Sequence, residues 1–339
     1  MKTELKITIL MPVYNGKAVI FDALNSIDKQ NYKNYHVFIQ DDASNDDLFK
    51  SFQSKKIKKI TYEKNKKNLG YGNNMERLRK KIPKDTDIVF LMAQDDFIAK
   101  NTFAEVNKVF KKYPKVGALI RPFFMFGDDI TTPIRDFGPF DRSKNRIIHV
   151  DDSEEALLSI IQTVCQLSGL AYRYSLLKTP FHEHVMTSHI YPFMEIFKQH
   201  PIMFLKNYTI AVRTYTSQTR HVPKIYEYSP QEEWGLMVRT VFADKKYQKA
   251  REVYLKFVYE NFVSFVQLKN FSTTKILLRE YWIFLKNRPQ NIFNPKYWFF
   301  VLGTFIIPKE LLLPLVDFFK ESILSQLLRN RNIKFNKAT

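Results

Sequence analysis

The sequence is poor in cysteine, in long apolar runs and in acidic residues. Cys165 is the single cysteine among 339 residues, which excludes an internal disulfide framework and favours a reducing compartment. We expect this thiol to be a small buried hydrophobe. No apolar run reaches the roughly 20 residues that a membrane-spanning helix needs. The N-terminus enters a short strand without the apolar region of a signal peptide. These absences predict a protein that folds in the cytosol and does not span a membrane.

The shortage of acidic residues leaves a large positive charge. The chain has 53 Lys and Arg against 34 Asp and Glu, a formal net charge of +19. Such a charge indicates a polyanion, an anionic membrane or a phosphorylated substrate as a partner. Nucleic acid is the least favoured of these, because we find no recognition-helix, RNA-binding or zinc signature and the basic residues concentrate near apolar stretches.

Apolar strands alternate with amphipathic helices through the first two thirds of the chain. The predicted strands are Leu5 to Met11, Tyr35 to Gln40, Ile57 to Tyr62, Ile88 to Ala93 and Val116 to Arg121. A further strand is predicted from Met203 to Ala211. Short links between alternating elements predict an α/β fold with a doubly wound, parallel sheet.

Acidic or turn-forming loops follow three of these strands at the point where each one ends. They are Pro12 to Asn15, Asp41–Asp42 and Asp95–Asp96. Because ligands bind at the carboxyl edge of such sheets, neighbouring carboxylates there are suited to a Mg²⁺ or Mn²⁺ that also touches a diphosphate. A solvated turn is the alternative for Asp95–Asp96 taken alone.

Four segments in this order resemble the successive motifs of family 2 glycosyltransferases with the GT-A fold, of the bacterial surface-polysaccharide type. They are Pro12-Val-Tyr-Asn-Gly16, Asp41-Asp-Ala-Ser-Asn-Asp46, Asn68-Leu-Gly-Tyr-Gly-Asn-Asn74 and Gln94-Asp-Asp96. The resemblance covers about residues 5 to 215. It implies a Rossmann-like, mostly parallel sheet and sugar transfer from a nucleotide-diphosphate donor.

The resemblance also implies roles for single residues in donor binding. The matched positions are Pro12 and Tyr14 against the nucleotide, Asp42 as acceptor of a hydrogen bond from the base, and Asn68 and Gly70 near the sugar nucleotide. Asp95 and Asp96 match the element called DXD, whose last Asp coordinates Mn²⁺ or Mg²⁺. A divalent cation offsets the charge that develops on a departing diphosphate.

The general base is where the sequence departs from the family pattern. Counting onward from Ser168 to Arg173, the Glu-Asp pair of the family falls on Ser188 and His189. We expect His189 to be the base, since an ordinary histidine titrates near neutral pH. Glu183 is the alternative, and in that case His189 only caps a helix.

Basic residues near the last strand allow further contacts. Arg213 or Arg220 could donate charge-assisted hydrogen bonds to the diphosphate. Solvated surface arginines are the equally favoured alternative.

We divide the chain into a GT-A domain over residues 1–228 and a helical region over 229–339. The second begins with Ser229-Pro-Gln-Glu232, a capping box with proline at the first helical position. Residues 294–329 hold short aromatic and aliphatic runs, and 17 basic residues face 6 acidic ones from Lys245 onward. These features favour attachment to an anionic membrane surface; a helical cap that packs on the GT-A domain or on a second subunit is the alternative.

Together these patterns predict an inverting glycosyltransferase, peripheral on the inner face of the plasma membrane. Its acceptor would be a glycan hydroxyl, with the glycan carried on a polyprenyl diphosphate. A catalytically inactive sugar-nucleotide or glycan-binding protein is the first alternative, because the Glu-Asp pair is missing.

Overall fold

The computed structural model describes residues 4–53, 59–216, 223–329 and 333–337. Strands β1 to β12 span Ile7–Val13, Tyr35–Asp41, Ile60–Lys64, Ile88–Leu91, Phe97–Ile98, Ala118–Ile120, Phe123–Phe126, Pro133–Phe137, Arg146–Ile148, Ala171–Arg173, Ile202–Phe204 and Ile210–Arg213. Helices α1 to α6 span Ile20–Asp28, Leu48–Gln53, Tyr71–Lys80, Thr102–Lys112, Glu154–Thr163 and Ile190–Phe197. Helices α7 to α13 span Pro230–Val241, Gln248–Glu260, Ser264–Phe271, Thr274–Asn287, Pro295–Ile306, Lys309–Phe318 and Ser325–Arg329.

Eight strands form the main sheet in the order β3-β2-β1-β4-β10-β6-β11-β9. The four strands from β3 to β4 run parallel, and the apolar residues of β1 and β4 are buried on both faces, as the uninterrupted runs predict. Strand β10 runs antiparallel to both of its neighbours, and so does β9 to β11. The predicted α/β class is therefore confirmed, with a mixed sheet.

A second sheet of four strands lies beside the first, in the order β5-β12-β7-β8. The predicted strand from Met203 to Ala211 is wrong as a single element, because Ile202–Phe204 joins the main sheet and Ile210–Arg213 joins this smaller one. Residues 333–337 return to the small sheet, where Phe335 packs on Phe124 with ring centroids 5.4 Å apart. The end of the described chain thus packs against the small sheet, whose strand β5 begins directly after Asp96.

Apolar cores fill both faces of the main sheet. One face packs against α1 and α4, and the other against α3, α5 and α6. Helices α7 and α8 contribute Met237, Val238 and Tyr254 to the second of these cores. The division at residue 229 coincides with the start of α7, whose cap is the predicted Ser229, but these two helices share a core with the sheet.

A third core lies within the helical region and joins α9, α10 and α11 through Phe265, Tyr281 and Tyr297. Outward from it, the apolar side chains of α11 and α12 are exposed. No helix in the described ranges is both long and apolar enough to cross a bilayer.

Candidate functional site

The loops that follow β1, β2 and β4 meet at one edge of the main sheet. Gln94 accepts a hydrogen bond from the Tyr14 backbone N–H at 3.0 Å and donates to the Tyr14 carbonyl at 3.2 Å. The Asn15 backbone N–H donates to Ser44 Oγ at 2.8 Å. Because the parallel register of β1 with both neighbours brings these strand ends together, the predicted convergence of the loops is what the structure has.

Asp42 organises the segment that leads into α3. Its Oδ1 accepts from the Asn65 side chain and from the Leu69 backbone N–H, each at 2.8 Å, and its Oδ2 accepts from the Gly70 N–H at 2.9 Å. Asn68 shares the Gly70 N–H at 3.0 Å. Gly70 has a φ of +81°, which an L side chain rarely adopts. Asn68 and Gly70 are themselves exposed, so this buried carboxylate holds a segment whose outer face is open.

Asp95 and Asp96 differ sharply in their surroundings. Asp96 is only 1 % exposed, and Gln166 Nε2, Ser168 Oγ and the Arg213 backbone N–H donate to it at 3.0, 2.6 and 3.1 Å. Asp95 is half-buried and accepts from Thr216 Oγ1. Burial raises the pKa of Asp96, and the neighbouring charge of Asp95 raises it further. Both oxygens of Asp96 are thus occupied by protein donors, whereas Asp95 is the carboxylate with access to solvent.

Two of the donors to Asp96, Gln166 and Ser168, lie on the turn between α5 and β10, and a buried arginine bonds the main chain of that turn. Arg121 is fully buried and donates to the carbonyls of Thr163 and Gln166 at 3.3 and 2.8 Å. A Cβ at Gly169, where φ is +84°, would lie 2.7 Å from Arg121 Nε. Burial lowers the pKa of Arg121 to about 10. The guanidinium therefore fixes the turn, and its positive charge partly offsets the rise in the pKa of Asp96.

The guanidinium of Arg213 is engaged by other groups of the protein. Its side chain bonds Asp22 at 3.2 Å and lies over the rings of Phe97 and Phe126, 5.4 and 5.6 Å from their centroids. Its backbone N–H holds Asp96. A diphosphate role for this side chain stays a prediction, and Arg220 lies outside the described residues.

His189 is 5 % exposed, and both of its ring nitrogens are engaged. Nε2 lies 3.2 Å from the Val164 carbonyl, which can only accept, so Nε2 carries the proton; Nδ1 then accepts from the Tyr71 hydroxyl at 3.1 Å. Burial lowers the pKa of His189 to about 4. The ring is neutral at physiological pH, but it has no nitrogen free to accept a proton from a bound acceptor. This arrangement does not favour His189 as the base.

Glu183 is exposed and lies on the segment from Phe181 to Ser188. The segment touches the start of α3, because a Cβ at Gly72 would lie 2.3 Å from the His182 carbonyl oxygen and 2.5 Å from that of Glu183. Residues 68–72, predicted to bind the donor, and the segment that carries Glu183 therefore come from distant parts of the sequence and touch at Gly72. Thr187 and Ser188 are buried, and their hydroxyl oxygens have no hydrogen-bond partner.

These loops belong to a region that resembles known proteins. Residues 8–159 match the profile of glycosyl transferase family 2. This part of the chain therefore has the sequence pattern of a family 2 glycosyltransferase domain. No curated protein sequence matches the chain significantly.

Solved structures extend the likeness beyond the family 2 domain. Residues 1–349 of S. aureus TarS, in complex with UDP-GlcNAc, superpose with a TM-score of 0.62 at 16 % identity, covering 98 % of this chain and 97 % of that one. The complex of the same TarS fragment with UDP has a TM-score of 0.60 with the same identity and coverage. A longer S. aureus TarS structure gives 0.58 at 15 % identity and covers 97 % of this chain and 55 % of that one. At this identity the likeness concerns the fold, and the predicted GT-A fold with a helical C-terminal region is confirmed.

The site extends beyond the family 2 domain in sequence. Asp42, Gly70, Asp95 and Asp96 lie within residues 8–159, whereas the turn that holds Asp96 comes after it. Sequence reasoning missed Arg121, Gln166 and Ser168, because no local pattern marks a side chain that bonds a carboxylate or a turn more than 40 residues away. The thiol of Cys165, predicted to be buried, is exposed on this turn.

The residues at the edge of the sheet suit a hard divalent cation held partly by its ligand. Among the described residues, no three His, Cys, Asp or Glu side chains come close enough to form a metal cage. Mg²⁺ commonly binds through one or two carboxylates plus substrate phosphates, and Asp95 offers an accessible carboxylate oxygen beside the family 2 loops. The donor chemistry therefore fits a metal that arrives with a diphosphate.

Proposed function

We propose that the protein is an inverting glycosyltransferase that moves a sugar from a nucleotide diphosphate to a hydroxyl of a glycan. The observation that carries this proposal is the meeting of three strand-end loops of a family 2 domain around one accessible carboxylate, Asp95. The UDP and UDP-GlcNAc bound to the similarly folded TarS support a nucleotide-sugar donor of this kind.

The donor would lie along the edge formed by Pro12, Tyr14, Asp42, Asn68 and Gly70. Asp42 acts on the donor through the backbone it holds, since three donors already occupy its two oxygens. Exposed Asn68 and Gly70 present the segment to the sugar nucleotide.

Asp95, rather than Asp96, is the residue that we propose to hold Mn²⁺ or Mg²⁺. Asp96 would then act indirectly, because it fixes the Arg213 backbone and the turn that carries Gln166 and Ser168. When bound, the cation offsets the charge on the departing diphosphate. Its charge would also lower the pKa of both carboxylates, which burial raises.

Glu183 is the base that the geometry supports better than His189. In the reaction the base removes the proton of the acceptor hydroxyl, the oxygen forms a bond to the anomeric carbon, and the bond from that carbon to the diphosphate breaks. Glu183 is exposed, and its backbone adjoins residues 68–72 at Gly72. His189 would instead fix Tyr71 at the start of α3.

A thermal-shift screen followed by a transfer assay tests this function. UDP-, GDP- and dTDP-sugars are added with and without Mn²⁺; a donor stabilises the folded state by mass action, by about 2.7 kcal/mol at 100 times its Kd. We expect one nucleotide to raise Tm more in the presence of Mn²⁺, and its sugar to be transferred to a glycan acceptor. Donor binding without turnover across candidate acceptors would favour the inactive binding protein. No Tm shift with any donor would contradict the proposal.

An anionic membrane surface is the partner that we propose for the helical region. The most exposed apolar side chains of α11 and α12 include Phe299 at 73 %, Phe305 at 62 % and Leu311 at 65 %. These side chains therefore do not pack on the GT-A domain, which counts against that part of the helical-cap alternative. Seventeen basic against 6 acidic residues from Lys245 onward favour anionic lipid over a second apolar protein face. The acceptor would then be lipid-linked, at the inner face of the plasma membrane.

Vesicle co-sedimentation tests this partner. The full chain should sediment with vesicles that contain phosphatidylglycerol and much less with phosphatidylcholine alone. The double variant Phe299→Ser with Phe305→Ser should lose most of this binding. Ile147→Ser, which alters an exposed apolar residue of β9, is the matched control and should bind as the wild type does. Equal binding by the double variant, or a stable dimer that the double variant breaks, would contradict a membrane partner.

A further inference from the structure

The segment from Phe181 to Ser188 carries Glu183 and is held from two sides. On one side α3 holds it: the Phe181 backbone N–H donates to Glu76 Oε2 at 3.0 Å, and Gly72 adjoins the His182 carbonyl. We call this stretch the acceptor segment, because the proposed base stands on it.

On the other side a single carboxylate of α7 holds the acceptor segment. Glu233 Oε2 accepts from the Met186 backbone N–H at 3.2 Å, and Glu233 Oε1 lies 3.9 Å from His184 Nδ1. Glu233 is only 7 % exposed. A buried carboxylate costs free energy unless it is hydrogen-bonded or paired. The bond from the Met186 N–H offsets this cost, so Glu233 and the acceptor segment hold each other in place.

The helix that carries Glu233 is itself anchored in the helical region. Ser229 caps α7 and donates to Glu280 Oε1 of α10 at 2.8 Å, and Glu280 is fully buried. The Met186 side chain packs on the same helical core, which includes Tyr226 and Phe265. The acceptor segment is thus seated on the helical region by a hydrogen bond and by an apolar contact.

We propose that Glu233 is a positioning residue that fixes the acceptor segment, and that the helical region thereby forms part of the acceptor site. This inference rests on the proposed glycosyl transfer, in which Glu183 is the base. Glu233 touches neither donor nor acceptor. It acts by keeping the Met186 backbone, three residues after Glu183, in one place.

The expected effect follows from how strongly transfer depends on alignment. A displacement of about 1 Å between reacting groups can lower the rate by about 10²-fold. We call residues 12–16, 41–46 and 65–72 the donor edge. This edge does not depend on Glu233, because its loops are held by Gln94, Ser44 and Asp42. Loss of Glu233 should therefore affect acceptor use and leave nucleotide affinity unchanged.

Three variants of the full-length protein test the inference. Glu233→Ala removes the acceptor of the Met186 N–H, and Glu233→Gln keeps a side-chain oxygen for it. Glu232→Ala alters an exposed carboxylate on the same helix and is the matched control. We expect Glu233→Ala to lower kcat/KM for the acceptor by about 10²-fold, Glu233→Gln to recover most of that loss, and Glu232→Ala to leave it unchanged. UDP affinity, measured by calorimetry, should be the same in all three.

Amide hydrogen exchange gives a readout that does not need turnover. Peptides covering residues 181–188 should exchange faster in Glu233→Ala than in the wild type, while peptides covering 65–72 should not change. Should Glu233→Ala fail to fold, Glu233→Asp carries the same test, because its shorter side chain keeps the charge but withdraws from the Met186 N–H.

Glycosyl transfer and the positioning role of Glu233 can be tested separately. If the wild type binds a nucleotide sugar but transfers nothing, glycosyl transfer is wrong, and the exchange data alone decide whether Glu233 holds the segment. If transfer occurs and Glu233→Ala matches the wild type in kcat/KM and in exchange at 181–188, the positioning role is wrong. A fall in UDP affinity equal to the fall in kcat/KM would also overturn it, since the effect would then be a general loss of structure.

Discussion

The donor edge and the acceptor side of this site are built in opposite ways. At the donor edge, residues 12–16, 41–46 and 65–72, polar side chains bond the backbone of neighbouring loops and leave an exposed outer face. On the acceptor side, residues 163–169 and 181–189, Ser168 and His189 are buried and bond groups far away in sequence, whereas Glu183 is exposed. His189 is the clearest case.

This difference shows that the residue type at a motif position does not by itself decide whether the side chain can contact a substrate. A histidine or a carboxylate becomes available to a substrate only if its protein partners leave an atom free. Asp95 keeps such access, whereas Asp96, His189 and Arg121 do not, since protein groups occupy their polar atoms or burial surrounds them. The same reasoning predicts which substitutions harm chemistry and which harm stability.

Asp95→Ala should have the largest effect on activity. We expect turnover to fall by about 10³-fold and Mn²⁺-dependent donor binding to be lost, because the metal supplies several kcal/mol of charge stabilisation. Tm should stay near that of the wild type, since Asp95 is half-exposed. Asp96→Ala is the matched variant: it leaves buried donors of Gln166 and Ser168 without an acceptor, at about 1 to 3 kcal/mol each. If Asp96→Ala were as stable as the wild type and lost metal binding, the roles of the two carboxylates would be reversed.

Arg121→Met should lower the free energy of unfolding by about 2 to 4 kcal/mol, because the carbonyls of Thr163 and Gln166 lose their donor. Urea unfolding gives this value. Arg173→Met is a suitable control, since Arg173 also bonds main-chain carbonyls, those of Phe110 and Val116, at the other end of β10. Both variants should be destabilised, but only Arg121→Met should weaken Mn²⁺ binding. Equal metal affinity in the two would show that Arg121 supports the fold alone.

Asp42→Ala should weaken donor binding by about 10- to 100-fold. Its carboxylate holds the Leu69 and Gly70 backbone, and a hydrogen bond to a charged group contributes about 1.5 to 3 kcal/mol. Calorimetry with the nucleotide identified in the donor screen measures the change. Asp22→Ala, which removes an exposed partner of Arg213, serves as the control and should bind normally. Unchanged affinity in Asp42→Ala would contradict its role at the donor edge.

His189→Gln should have the smallest effect at neutral pH and a distinct one in acid. The folded-state pKa of His189 is about 4, below its ordinary value of 6.5. The unfolded state therefore binds a proton first, and the wild type loses stability as pH falls from 6.5 towards 4. In His189→Gln this part of the pH dependence should vanish, which urea unfolding across that range will measure. Loss of turnover by about 10²- to 10⁴-fold at neutral pH would instead restore His189 as the base.

The strands and the donor-edge loops could be predicted because their signals are local. An apolar run such as Ile88–Leu91 indicates a buried strand wherever it occurs, and a carboxylate that follows it must lie at the strand's end. Asp42 and Asp95 were found in this way, whereas Gly70 came from the resemblance to family 2 glycosyltransferases. The strand predicted from Met203 to Ala211 was wrong because its apolar pattern does not reveal that a turn at residues 205–209 sends its halves to two different sheets.

Local sequence signals are enough to predict the α/β class, the order of the loops at the sheet edge, the positive charge and the capped start of the helical region. All of these depend on periodicity, composition or spacing over a few residues. The folded chain alone shows that Asp96 and His189 are enclosed, that Arg121 bonds the turn before β10 and that Glu233 bonds Met186. The physical reason is that burial and hydrogen-bond occupancy depend on contacts between residues far apart in the chain, such as Asp96 with Arg213 and Glu233 with Met186, and no local pattern encodes them.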